Sequence, residues 1–230
     1  MSTEINLTTI AENVSKVHEA GKVDFMRKYQ ANHKRLNSCS YSFAGVGWTN
    51  ENFKPVEDIK GAAMVNVFYA SDIEGDLVEI LEECGVRFDS SQCTNCNGFF
   101  SYVAFTRVGV VDCTKSSGAI SSLFIHAYNL KTIDKLILKA DGSQTINKVF
   151  TRCDSLENLT IEGVIGKNGM DVSPCPKLTV TSLLSILYAL ADKSGDTSGT
   201  SWVCTLGSAN LAKLTDEQNQ IAPDKGWTLL

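Results

Sequence analysis

Apolar residues in the middle of this chain recur on a period longer than a helix turn or a strand pleat. Starting at Phe99, Phe124, Phe150 and Val172, the starts lie 25, 26 and 22 residues apart. Six positions after each comes another apolar residue: Phe105, Leu130, Leu156 and Leu178. Three units add one at nine positions, Val108, Ile133 and Leu159. Short strand patterns accompany them, Val108-Gly-Val110-Val111, Leu136-Ile-Leu138 and Leu159-Thr-Ile161. A degenerate earlier unit begins at Phe68, with Leu77, Ile80 and Leu81 on a helix pattern ending at Gly85. A period of roughly 20 to 29 residues that closes on alternating Leu and Ile is the pattern of a leucine-rich-repeat solenoid. There a unit buries its apolar face only by stacking on a neighbour. Stretches rich in Gly, Asp, Asn and Ser, Ala140 to Gln144 and Gly163 to Gly169, read as the turns between units.

The flanks follow other patterns. Leu7, Ile10, Val14 and Val17 have the spacing of a helical seam, with Gly21 where the next seam residue would fall. Such a helix either packs on its own domain or associates with copies of itself or a larger assembly. Residues 1–38 therefore read as an N-terminal helix and linker. Residues 39–63, with Tyr41, Phe43, Trp48 and Phe53 among Gly45, Gly47 and Asn50, read as a connecting or capping segment of short strands and turns. Residues 64–230 are expected to form an α/β leucine-rich-repeat-like solenoid with a C-terminal cap from about 181. In that cap Ser182 to Ala191 and Leu211 to Ile221 read as helices, and Trp202 to Leu206 and Trp227 to Leu230 as strands.

Charge narrows the partners. The 21 Lys and Arg against 26 Asp and Glu give a net charge of -5, so the basic excess that nucleic acid requires is missing. No uninterrupted apolar stretch is long enough to predict a membrane span. Met1 to Leu7 lacks a basic cluster leading into an apolar run, so no secretory signal is read and the chain is expected in the cytoplasm when made. Its 8 cysteines then read as reduced thiols that pack as small apolar groups, Cys153 and Cys175 forming a column at equivalent repeat positions.

Each candidate for chemistry has a plainer explanation. Cys93-x-x-Cys96 would need two further zinc ligands such as Cys84 and Cys113, and neither a second C-x-x-C nor an H-x-x-x-H supports it. His18, His33 and His126 have no nucleophile motif nearby. The acidic run Glu74, Asp76, Glu79, Glu82 and Glu83 lacks calcium-loop spacing and reads as a solvated helix face. Gly163-Val-Ile-Gly166-Lys167-Asn is too short for a phosphate-binding loop and reads as a turn. No catalytic, cofactor-binding or metal-binding residue is assigned. What remains is the outward face of a stacked strand row, where Asp134 and Thr160 would recur at intervals suited to gripping a protein or glycan.

The run Phe150-Thr-Arg-Cys153-Asp-Ser-Leu156-Glu-Asn-Leu159-Thr-Ile161 resembles the repeat of BspA-like leucine-rich-repeat proteins, Phe-x-x-Cys-x-x-Leu-x-x-Leu/Ile-x-Ile. Val172-Ser-Pro-Cys175-Pro-Lys-Leu178 matches its first half. Phe124, Ala127, Leu130 and Ile133 match it with Ala for Cys and a three-residue insertion before Leu136. Ile10 to Val17 leading to Glu19-Ala-Gly21, Phe43 to Thr49, and Gly142-Ser-Gln-Thr145 are similar to small prophage-encoded members of Gram-positive bacteria. That resemblance implies a non-enzymatic recognition module associated with a phage or prophage, with a structural virion component as the alternative. A zinc protein or hydrolase is a more remote one.

Overall fold

The computed structural model describes residues 40–230 apart from 41, 46, 56 and 118. The seam helix expected over Leu7 to Val17, its linker, His18 and His33 lie outside the described residues. The elements are β1 Ile59–Lys60, β2 Glu74–Asp76, α1 Leu77–Glu83, β3 Phe88–Asp89, β4 Ala104–Asp112, β5 Ile120–Ser121 and β6 Thr132–Ile137. They continue with β7 Ile146–Asn147, β8 Asn158–Glu162, α2 Val180–Ala189, β9 Val203–Cys204, α3 Ser208–Leu211, α4 Asp216–Asp224 and β10 Thr228–Leu229. The described chain is mixed α/β, with no closed barrel. One four-stranded sheet has the order β2-β4-β6-β8, and β1-β3, β5-β7 and β9-β10 form two-stranded sheets; every named pairing is parallel.

Equivalent apolar positions meet across the four-stranded sheet. Val108 pairs with Ile133 and Ile133 with Leu159, while Val111 pairs with Leu136 and Leu136 with Ile161. All six side chains are buried. Between Ile133 and Leu136 the register shifts against β8, so Asp134 and Lys135 together oppose the single Thr160. The three-residue insertion expected before Leu136 is therefore a single extra residue, a β-bulge inside one strand.

Behind the sheet, Phe43, Phe68, Phe100, Phe124 and Phe150 form a column of nearly parallel rings. Successive centroids lie 5.5, 5.5, 5.5 and 6.0 Å apart. The backbone N–H of the first four rings donates to the next turn, Phe43 to Val67 O, Phe68 to Phe99 O, Phe100 to Leu123 O and Phe124 to Val149 O. Two differences from the sequence pattern follow. The column starts at Phe43, inside the segment expected only to connect or cap, and that segment shares one continuous core with the rest. Phe100, not Phe99, is the stacked ring. Its turn is one residue shorter between ring and strand, so counting back from Val108 lands on Phe99, whose ring instead packs edge-on against Phe88 and Phe100. Leu130, Leu156 and Leu178 are buried as their spacing predicts.

Side chains seal both edges of the four-stranded sheet. At β2, the Asn50 amide accepts from Glu74 N–H (2.7 Å) and donates to Glu74 O (2.8 Å), replacing a neighbouring strand. Beside β8, α2 stands in the next strand's place. Thr179 caps it, and Leu183, Ile186 and Leu187 give it a buried face. Its Ser182 Oγ accepts from Leu159 N–H (2.9 Å) and donates to Glu157 O (3.2 Å). One turn on, Ser185 Oγ accepts from Ile161 N–H (2.8 Å). Hydroxyls at i and i+3 thus satisfy an edge that would otherwise stay open to pairing. Beyond α2, Lys225 Nζ donates to the carbonyls of Leu187, Tyr188 and Leu190 at 2.8 to 3.2 Å, closing the helix end. The single helix expected over Leu211 to Ile221 is two, α3 and α4, because Thr215 and Gln218 form a capping box that starts a new one.

Candidate binding surface

On the outward side of the four-stranded sheet, Thr160 lies between buried Leu159 and Ile161, and Asp134 shares the bulge with half-buried Lys135 between buried Ile133 and Leu136. Their roles differ. Thr160 is exposed, whereas Asp134 is engaged: Arg107 Nε and Nη2 donate to its two carboxylate oxygens at 2.8 Å each. Arg107 Nη1 reaches Asp76 at 3.2 Å, and the Asp134 and then the Asp76 hydrogen bonds hold the guanidinium above its ordinary pKa. Lys135 Nζ pairs with Glu162 at 2.7 Å beside them. The face therefore presents paired charges around an open threonine. At its β4 end, α1 comes close because residue 109 is glycine; a Cβ there would meet Val78 Cγ2 at 3.1 Å. Between α1 and β4 lies an apolar cleft of about 220 Å³, lined by Val78, Leu81, Val86, Phe88, Phe100 and Val110.

The acidic run does not converge. Glu74 sits in β2, Asp76 caps α1 by accepting from Val78 and Glu79 N–H, and Glu79, Glu82 and Glu83 are exposed on α1. Gly163, at φ 95°, packs against the Leu138 carbonyl, and Gly166 against that of Gly142, so these glycines let turns approach each other.

Seven described cysteines are free thiols, and all but Cys84 are buried. Cys93, Cys96 and Cys113 are neighbours: a hydrogen bond to Cys96 and then burial push the Cys93 thiol up, and one to Cys113 does the same for Cys96. Cys84 stands apart at the C-cap of α1, its thiol raised by burial. Among the described residues, no three His, Cys, Asp or Glu side chains gather as metal ligands. Cys153 and Cys175 lie in adjacent turns, where each Sγ donates to the carbonyl of the preceding ring residue, Phe124 (3.1 Å) and Phe150 (3.8 Å). Cys204 is pushed up to about 12 by burial. Buried, protonated thiols of this kind are poor nucleophiles.

One surface feature is not singled out by the hydrophobic pattern. On the outside of the same turns, Tyr69, Tyr102, His126 and Tyr128 form a row. Tyr69 meets Tyr102 edge-on at 5.4 Å, Tyr102 stacks on His126 at 4.6 Å with planes 6° apart, and His126 meets Tyr128 at 5.5 Å. His126 Nδ1 and the Tyr128 hydroxyl are 2.6 Å apart. The three tyrosines are 40 to 46% exposed. The available sequence signal is a large side chain two residues after a column Phe, as at Tyr102 and His126.

Among the described residues, no helix is long and apolar enough to cross a membrane. Comparison with protein-family models, curated proteins and solved structures finds no match.

Proposed function

We propose that the chain is a non-enzymatic recognition module, a short BspA-like leucine-rich-repeat solenoid that binds a protein or glycan through its repeat surface. The observation that supports this reading is the parallel pairing of β4, β6 and β8 at about the sequence period, continuous between β4 and β6 and broken by one bulge between β6 and β8. It puts equivalent side chains in rows and leaves Thr160, the Asp134–Arg107 pair and Lys135–Glu162 on one outward face. Rows on a face rather than polar groups gathered in a cleft suit gripping an extended partner. Association with a phage particle rests on the resemblance of the repeat and flanking motifs, and the neighbouring genes test it. Glycan and peptide arrays probed with the intact protein test the binding reading. Hits lost on Thr160→Arg support it; an absence of hits on both arrays, or hits indifferent to Thr160→Arg, overturns it.

A further inference from the structure

The turns that carry the Phe column bend the backbone into the left-handed region at two fixed places. Two residues before the ring stand Asn66, Gly98, Ser122 and Lys148, with φ from 52° to 66°. Two residues after it stand Ala70, Tyr102, His126 and Arg152, with φ of 54°, 59°, 60° and 62°. Hydrogen bonds between turns fix the second row, Ala70 N–H donating to Ser101 O, Tyr102 to Ile125 O and His126 to Thr151 O. Glycine or asparagine is the low-strain residue in such a conformation. The first row uses them twice; the second never does, and it fills three of its four places with large side chains. Backbone strain kept at these successive positions, of which Tyr102 and Arg152 are exposed and Ala70 and His126 half-buried, points to what the side chains present.

They present ring edges and donors. Tyr102 and His126 each cover one face of the other, which leaves their rims, the positive end of the ring quadrupole, as part of the free surface. Arg152 prolongs the row with a full cation, exposed and without an ion pair to any described residue. No carboxylate occupies either of the two positions after the ring in these four turns, Tyr69-Ala70, Ser101-Tyr102, Ile125-His126 and Thr151-Arg152. Four residues after Phe68 and Phe150, where Tyr128 stands after Phe124, come the exposed Asp72 and Asp154, so the strip's positive charge is Arg152 alone. The contact between His126 Nδ1 and the Tyr128 hydroxyl orients both side chains before any partner arrives.

We propose that Tyr69, Tyr102, His126, Tyr128 and Arg152 form a docking strip for an acidic, aromatic-containing polypeptide segment of a partner protein. Carboxylates of that segment meet Arg152 and the ring-edge donors, and its aromatic faces take the tyrosine rims. Tyrosine and arginine are the residue types that dominate protein interfaces energetically. The strip rests on the reading of the chain as a recognition module but places the contact on the turns, away from Thr160.

A random copolymer of glutamate and tyrosine is the probe, with poly-lysine and dextran compared at the same ionic strength. The intact protein is expected to bind the copolymer in preference to both. Tyr102→Asn, His126→Asn and Arg152→Asn together should weaken that binding by about tenfold or more, as loss of interface anchors does. Because asparagine suits the left-handed backbone, Tm should stay level or rise. Thr160→Arg should leave copolymer binding unchanged. Equal or better binding of dextran or poly-lysine, full binding by the triple variant, or weakening accompanied by a fall in Tm overturns the strip. Copolymer binding lost on Thr160→Arg alone also overturns it, while leaving the strand-face reading intact.

Discussion

Inside the turns, Phe68, Phe100, Phe124 and Phe150 stack with centroids 5.5 to 6.0 Å apart and at most 1% of each side chain exposed. Outside the same turns, Tyr69, Tyr102 and His126 follow one another at 5.4 and 4.6 Å, with the tyrosines 40 to 46% in solvent. The repeat imposes similar spacing on both, yet its energetic meaning differs. Each inner ring leaves water completely, a transfer worth about 1.5–3 kcal/mol per side chain. The outer rings keep much of their hydration, gain about 0.5–1.5 kcal/mol from ring contact at best, and at Tyr102 and His126 sit on a strained backbone. Stacking inside stabilises the fold, and stacking outside shapes a surface.

That contrast is broken most directly at Phe124, which has a ring on either side of it in the column. Phe124→Ala is expected to lower unfolding free energy by about 3–5 kcal/mol in urea denaturation, the cost of truncating a buried aromatic. A loss below about 1 kcal/mol would show that the surrounding turns collapse onto the gap and that the column is not what holds them.

The inner side also predicts an alkaline weakness. Burial raises the thiols of Cys84 and Cys204, and hydrogen bonds between thiols together with burial raise Cys93, Cys96 and Cys175; Cys204 reaches about 12. An unfolded chain loses these protons near pH 8.5, whereas the folded chain keeps them. Their effect is absent below about pH 8.5, and stability is lost as pH rises from there toward the folded value. Melting temperature should therefore fall steadily between pH 8 and 10, and Cys204→Ala should flatten the slope. A flat profile in the wild-type protein would mean that the thiols reach water before unfolding.

The inner column is largely legible in the sequence because its chemistry repeats with its spacing: Phe124, Phe150, Leu130, Leu156 and the Cys153–Cys175 pair carry the same residue types at the same offsets. It blurs where a turn loses one residue, hence Phe99 in place of Phe100. It also blurs at Phe43, whose distance of 25 residues from Phe68 is regular but has no Leu-rich strand after it. The outward direction of Thr160 follows from alternation with buried neighbours, whereas at Asp134 the bulge interrupts that alternation. The Arg107 fork that occupies Asp134 does not follow from it either, because it bridges strands 27 residues apart in sequence. The outer row is the least legible. Ala70, Tyr102, His126 and Arg152 share no residue type, and only their backbone conformation makes them equivalent.

The same equivalence supplies the smallest and most discriminating expectation, at Tyr102. If its ring contributed to folding as Phe124 does, Tyr102→Asn would destabilise by several kcal/mol, roughly as other buried aromatic truncations do. Instead the substitution removes a half-exposed ring, forfeiting about 0.5–1.5 kcal/mol of contact with Tyr69 and His126, and relieves about 1–2 kcal/mol of left-handed strain. The two effects nearly cancel, so the net change should lie within about 1 kcal/mol of zero, on the stabilising side where strain exceeds contact. Tyr69→Ala is the control, because it removes a comparable exposed ring at a residue without positive φ and so can only lose contact. Chemical denaturation of the pair separates the two contributions. A Tyr102→Asn loss as large as that of Phe124→Ala would place the outer row in the core economy of the fold and end its reading as a surface kept for display.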